Sequence, residues 1–134
     1  MNIEEILEAL LRGDWLRLPY DHYGLPVYKI VGAEYAIARD DEEAEEACKE
    51  YIKQSVWAFN ASFLASHISA LEAEDVERLR GDTCESCNDA LLKLIDDFDT
   101  FVEDAMSVDG MGHFLSQYDG DVIEQGEFRL FRIN

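Results

Sequence analysis

The chain has 134 residues, of which 30 are acidic and 11 are basic, so its formal net charge is −19. A charge of this size opposes compaction by self-repulsion, and it disfavours direct binding to nucleic-acid phosphates and to anionic lipid surfaces. Aromatic residues make up 11% of the chain, more than disordered acidic chains contain, so we expect a folded protein with its charge outside. No apolar run approaches the roughly 18 residues that span a bilayer. The three cysteines and the lack of a secretory signal predict reduced thiols in a cytoplasm.

The first predicted element is an amphipathic helix over residues 3–11, where apolar residues recur at the i, i+3, i+4, i+7 spacing. Residues 14–26 contain both prolines of the chain and are predicted to form an ordered, aromatic-rich loop. Residues 27–39 are β-rich and predict one bulged strand, or two short strands that turn at Gly32-Ala33. An acidic helix then opens at Asp40.

The middle of the chain is predicted to be helical. A short helix capped by Asn60 and a segment over 74–80 that ends at Gly81 precede the longest predicted helix, over 83–106. Short strands are then predicted over 113–116, 122–124 and 128–133. Because strands flank the helices without a repeating strand–helix–strand unit, the predicted fold is a single α+β domain over 1–134, whose terminal strands form one small antiparallel sheet against several helices.

Two clusters of carboxylates are the candidate partner-binding surface. On the predicted helix over 83–106, acidic residues recur every three to four positions opposite the apolar stripe, or about every 5–6 Å along the axis. Phosphates along one DNA strand are spaced similarly. The second cluster is the first turn of the helix that opens at Asp40. The predicted partner-binding residues are Asp40, Asp41, Glu42, Glu43, Glu85, Asp89, Asp96, Asp99 and Glu103. Whether the clusters share a face stays open, and an ordinary solvated face is the alternative.

Cys84 and Cys87 have the spacing of half a zinc site. No second pair has this spacing, and the remaining cysteine and the histidines are distant in sequence, so partly buried structural thiols are the main expectation. A structural metal and redox chemistry stay as alternatives. We therefore predict no bound metal and no cofactor.

No familiar catalytic pattern is present. His113 lies near three aspartates in sequence, which suits a general base or a cation site. The loop beside it lacks the ligand spacing of an EF-hand, and phosphate-loop, nucleophile-elbow and zinc-protease motifs are missing from the sequence. The prediction is a non-enzymatic protein.

Two stretches carry a resemblance to small uncharacterised proteins of tailed phages and prophages. The first is GHFLSQYDG over 112–120, together with the closing residues 131–134. Residues 35–38, followed by the acidic helix and by 57–59, are similar to the same family. The resemblance implies a phage protein that acts in the cytoplasm of a bacterial host, and it supplies no site residues.

Charge and resemblance together predict a non-enzymatic phage-type inhibitor, because small acidic phage proteins often occupy the basic nucleic-acid channel of a defence nuclease. The expected partner is a basic host protein, such as a CRISPR or restriction complex, with no direct contact to nucleic acid or membrane. One alternative is a phage assembly module that forms a homodimer. Another is a small accessory domain stabilised by zinc at Cys84 and Cys87.

Overall fold

The computed structural model describes residues 15–134, and the predicted helix over 3–11 lies outside them. The chain forms two compact units. Among the described residues, the sheet unit comprises 15–50 together with Asp109–Asn134, and the helical unit comprises Tyr51–Val108. The single-domain organisation stays a prediction. None of the helices in the described part of the chain is long and apolar enough to cross a membrane.

The sheet unit contains a five-stranded sheet in which every neighbouring pair is antiparallel, in the order β1-β2-β3-β5-β4. This confirms the α+β class and the sheet built from the two ends of the chain. The strands are β1 (Trp15–His22), β2 (Leu25–Ile30), β3 (Ala33–Ala38), β4 (Val122–Gln125) and β5 (Phe128–Arg132).

The prediction of a loop over 14–26 is wrong, because residues 15–22 form β1 and residues 25–26 begin β2. Pro19 lies where the pairing register of β1 shifts, between Arg17 and Asp21. A proline is tolerated there because β1 is an edge strand and the irregular stretch needs no ladder hydrogen bond from residue 19. The turn near Gly32 is confirmed, since Val31 and Gly32 connect β2 to β3 with φ values of 47° and 83°.

Both faces of the sheet bury apolar side chains. Val27, Ala36 and Phe131 are paired across three strands, and all three are 0% exposed. Tyr28 and Ile37 belong to the opposite face, where further aromatic and aliphatic side chains pack against them. The last strand therefore lacks a simple alternation of apolar and polar residues, because successive residues point to opposite faces of the sheet and both faces bury apolar side chains.

Two helices begin in the sheet unit. The first, α1 (Asp41–Gln54), begins where predicted, and the Oδ1 atom of Asp40 accepts the Glu43 N–H at 2.9 Å. The strand prediction over 113–116 is wrong, because α6 (Met111–Leu115) occupies this region. Phe114 and Leu115 are consecutive and both buried, which a helical turn allows and a strand with one buried face does not.

The helical unit contains four further helices, α2 (Ala61–Ser66), α3 (Ala73–Thr83), α4 (Asn88–Leu94) and α5 (Phe98–Asp109), the last of which ends one residue beyond it. The Asn60 cap is confirmed, since its Oδ1 atom accepts the N–H groups of Ser62 and Phe63 at 2.9 and 3.2 Å. The predicted end at Gly81 is wrong, because α3 continues to Thr83.

The long helix predicted over 83–106 is broken twice. A 3₁₀ helix, Cys84–Cys87, precedes α4, and residues 95–97 separate α4 from α5. The second break follows from aspartate chemistry, because short polar side chains compete with helical hydrogen bonding. Asp97 accepts the Thr100 N–H at 3.3 Å, and this backbone hydrogen bond lowers the pKa of Asp97. Asp97 thus starts a new helix rather than continuing the old one.

Candidate acidic interface

An open groove of about 340 Å³ lies in the sheet unit between the start of α1 and the β4–β5 turn. The sheet register creates it. Ala38, at the end of β3, pairs with Arg129 on β5, and the chain passes from Ala38 directly into the acidic first turn of α1. The lining residues are Asp40, Asp41, Glu42, Gly126, Glu127 and Arg129.

Arg129 is the cation of this groove and is held from several sides. Its Nε atom lies 2.9 Å from Oδ1 of Asp41 and 3.8 Å from Oε1 of Glu124. Its guanidinium also donates to the carbonyl oxygens of Gly126 and Phe128 at 2.8 and 3.0 Å. Because only 14% of the Arg129 side chain is exposed, it is fixed in place and cannot swing out to follow a ligand.

Four carboxylates line the groove beside its one cation, and a further carboxylate, Glu124, contacts that cation. Asp41 also contacts Arg129 directly, whereas Glu42 and Glu127 form no ion pair with another described residue. Asp40 is engaged as the cap of α1. A groove of this composition attracts a positively charged side chain and repels an anion.

The sequence predicts that Glu43 belongs to the partner-binding surface, together with Asp40, Asp41 and Glu42. In the structure, the side chain of Glu43 pairs with Arg39, and the hydrogen bond that Arg39 donates to Glu43 raises the pKa of Arg39. The first turn of α1 is therefore better compensated than the sequence suggested, and Glu42 is its least engaged carboxylate.

Sequence reasoning missed the contribution of β4 and β5. Glu124, Glu127 and Arg129 are separated from the Asp40 turn by more than 80 positions, as the 88 positions between Asp41 and Arg129 illustrate. The glycine at 126 predicts a turn between acidic residues, but no local signal indicates that Arg129 pairs with Ala38.

The acidic residues predicted on one long helix lie on four different segments of the helical unit, since Asp96 lies in the break between α4 and α5. Glu85 belongs to the 3₁₀ helix, Asp89 to α4, and Glu103 to α5, and all three are exposed. Since the helix is broken on both sides of α4, these residues do not form one regularly spaced row. The expectation of a phosphate-like spacing along a single helix is therefore wrong.

Two of the predicted acids have structural roles. The carboxylate of Asp96 accepts the Ser69 N–H at 3.1 Å and the Ser69 hydroxyl at 2.6 Å, and the Asp96 N–H donates to the carbonyl of His67. Asp99 lies in the first turn of α5, where a negative charge is favourable against the helix dipole.

The charge is shared between the two units. The helical unit contains twelve acidic and four basic residues, and residues 15–50 with 109–134 contain fourteen and six, so each part has a formal net charge of −8. Neither unit alone is the acidic one. The groove is therefore distinguished by how its carboxylates are gathered beside Arg129, and not by the net charge of its unit.

The predicted catalytic and metal-binding candidates are spread over the fold. His113 is exposed on α6, and His67 contacts Asp104 through Nε2 and Oδ2 at 3.1 Å within the helical unit. Cys84 is exposed and Cys87 is buried. In residues 15–134, no group of three or more His, Cys, Asp or Glu side chains is arranged to hold a metal ion.

Comparison with known proteins gives no assignment: no protein-family model, curated protein or solved structure matches the chain. The geometry of the acidic groove is therefore the basis on which a function is argued.

Proposed function

We propose that the protein is a non-enzymatic, phage-type inhibitor that binds the basic nucleic-acid-binding surface of a bacterial defence protein. The observation that carries the proposal is the groove in which four carboxylates, from the start of α1 and the β4–β5 turn, stand beside the single cation Arg129, which is itself paired with Asp41 and Glu124. A partner's lysine or arginine is the ligand that this charge pattern favours.

Glu42 and Glu127 are the residues best suited to the direct contact. Both line the groove, and carboxylates bind guanidinium groups in a short, two-pronged geometry that adds specificity to the attraction. The volume of about 340 Å³ lies at the lower end of the range for small-molecule sites, so it suits one or two side chains rather than a large ligand.

The exposed acids of the helical unit have a different role in this proposal. Glu85, Asp89 and Glu103 add to the negative field of the whole protein, which accelerates the encounter with a basic surface. Asp41, Glu43 and Asp96 hold the fold through their own partners. Their substitution is expected to cost stability as well as binding.

The test begins with immobilised full-length protein and the lysate of a bacterial host. We expect it to retain a basic nucleic-acid-binding protein at low salt and to release it at high salt, because the Debye length shrinks to about 3 Å at 1 M. Duplex DNA or RNA added to the lysate should compete for the same protein. If no salt-released protein is displaced by nucleic acid, the proposal is rejected.

A pair of matched variants then tests the groove. Glu42→Gln/Glu127→Gln and the control Glu45→Gln/Glu46→Gln both change the net charge from −19 to −17. The groove variant should weaken binding of the purified partner by about tenfold or more, since close charge pairs couple strongly. The control should change affinity by about twofold or less, as a rim charge does. Equal losses in both variants would mean that only total charge matters and that the groove is not the contact.

A second candidate function, self-association as an assembly module, has a separate observation in its favour. The edge strand β4 leaves Ile123 41% exposed, and the edge strand β1 leaves Leu16 61% exposed. Edge strands with exposed apolar side chains can pair with a second copy. This function predicts a dimer that persists at high salt, and a monomer by light scattering at high protein concentration would exclude it.

A further inference from the structure

Cys84 and Cys87 stand at the two ends of the 3₁₀ helix that joins α3 to α4. Both thiols are free, and their environments differ, since Cys84 is exposed and Cys87 is buried. The Sγ atom of Cys87 donates to the carbonyl oxygen of Cys84 at 2.9 Å. The buried thiol therefore already lies against the backbone of the exposed cysteine.

The spacing of the two cysteines fits a covalent link. A 3₁₀ helix has three residues per turn and a rise of about 2.0 Å per residue, so its first and fourth residues are eclipsed about 6 Å apart. The Cα atoms of disulfide-linked cysteines are usually about 4.4–6.8 Å apart. One turn of 3₁₀ helix thus brings residues 84 and 87 to a distance that a disulfide can span.

The backbone of Cys84 is held in an unusual conformation, with φ 49° and ψ −130°. Residues other than glycine adopt positive φ uncommonly and at a cost in free energy. Rotation of Cys84 about its backbone turns its side chain relative to Cys87 while the Cα spacing is kept. The strained conformation favours such a movement.

We propose that Cys84 and Cys87 form a modification site at which hydrogen peroxide converts the two thiols into an intramolecular disulfide. The Cys84 thiolate attacks one peroxide oxygen, the O–O bond breaks, and Cys84 becomes a sulfenic acid as hydroxide leaves and takes up a proton. The Cys87 sulfur, on losing its proton, attacks the Cys84 sulfur, and the S–O bond breaks as water leaves. The two sulfurs lose two electrons in total, and the peroxide is reduced to two waters.

The surroundings of the site select this oxidant. Asp82 and Glu85 flank Cys84 in the sequence, so an anionic oxidant such as oxidised glutathione is repelled, whereas neutral peroxide is not. The third cysteine, Cys48, is buried, and burial raises its pKa to about 12. Since the thiolate is the reactive form, Cys48 remains reduced.

The experiment uses the full-length protein, reduced and freed of reductant, with hydrogen peroxide as the probe. Thiols counted in denaturant should fall from three to one, and the intact mass should fall by about 2 Da as two hydrogens are lost. Trypsin leaves both cysteines in one peptide, residues 81–93. After alkylation, this peptide should carry no label, while the peptide that contains Cys48 should be labelled.

Two variants separate this reaction from general thiol oxidation. Cys87→Ser should abolish the 2 Da loss, and its Cys84 should gain oxygen atoms or form an intermolecular dimer. The matched control, Cys48→Ser, should lose both of its remaining thiols. The unaltered protein should likewise lose two of its three thiols. A gain of oxygen atoms by the unaltered protein without the 2 Da loss would overturn the proposal. Consumption of Cys48 at the same rate as Cys84 would also overturn it. Neither result needs a variant to fold.

Discussion

Gly112 is predicted to be the least replaceable glycine that the structure describes. A Cβ atom at this position would lie 2.3 Å from the carbonyl oxygen of Gly120 and 2.9 Å from its carbonyl carbon. Both are backbone atoms, so the clash cannot be relieved by turning a side chain. Gly112→Ala must therefore displace the loop between α6 and β4 by about 1 Å to restore ordinary contact.

The displacement costs folding free energy, because the part of the loop that must move is held by hydrogen bonds. The Gly120 N–H donates to the Ser116 carbonyl at 2.8 Å, and the Ser116 hydroxyl donates to the Asp121 carbonyl at 2.5 Å. Overpacking costs about 1–3 kcal/mol, and each weakened hydrogen bond costs about 0.5–1.5 kcal/mol. The better helix propensity of alanine offsets less than about 1 kcal/mol of this destabilisation. We expect a net destabilisation of about 3 kcal/mol.

Gly81 provides the matched control. It lies inside α3, and a Cβ atom there would meet nothing within 4 Å. Gly81→Ala should therefore raise the free energy of unfolding by about 0.5–1 kcal/mol. Urea denaturation, followed by circular dichroism and tryptophan fluorescence, measures both changes. The reasoning fails if the two alanines shift stability in the same direction, or if Gly112→Ala costs less than about 0.5 kcal/mol.

Three further predictions concern single residues. Val31 is 80% exposed with φ 47°, so Val31→Asn, which suits this turn, should raise the free energy of unfolding by about 1 kcal/mol in urea titrations. Hydrogen bonding lowers the pKa of Asp97 below its ordinary 3.8, so its stabilisation is present above that pH and is lost as the pH falls through the lower folded value. Asp97→Ala should therefore be less stable than the unaltered protein at pH 7, with a gap in melting temperature that narrows as the pH falls below 3.8. Burial lowers the pKa of His22 below 6.5, so the unfolded chain is protonated first and stability falls as the pH drops below that value. His22→Gln should show a smaller difference in urea midpoint between about pH 8 and pH 5.

Local signals predicted part of the fold, and longer-range contacts decided the rest. The Asn60 cap, the acidic helix and the turn at Gly32 depend on residues close together in sequence, and each is confirmed. The break at residues 95–97 was not predictable from the apolar spacing, because it combines the local cap at Asp97 with the bond of Asp96 to Ser69, 27 positions away. The spacing of apolar residues gives no information about a polar side chain that hydrogen-bonds to a residue far away in sequence.

The acidic groove, too, could be predicted from the sequence only in part. Its first half, the turn that follows Asp40, follows from the sequence because four consecutive carboxylates stand there. Its second half does not, because it depends on the register that pairs Ala38 with Arg129. The same register supplies the cation that compensates Asp41. The sequence therefore overestimated how many carboxylates of this turn are unpaired, since Asp41 and Glu43 each pair with an arginine.

The carboxylates that remain unengaged provide a way to separate a binding surface from a surface that only keeps the protein soluble. Glu42 shares the groove with Asp40, Asp41 and Glu127, where like charges repel one another, but it also lies in the first turn of α1, where the helix dipole favours a negative charge. Because these two effects oppose each other, Glu42→Gln/Glu127→Gln should change the free energy of unfolding by no more than about 0.5 kcal/mol while it weakens partner binding. A solubility role predicts the same nearly unchanged stability with no loss of binding. Urea titration and an affinity measurement on the same protein preparation distinguish the two, and a variant that loses stability together with binding would show that these carboxylates support the fold instead.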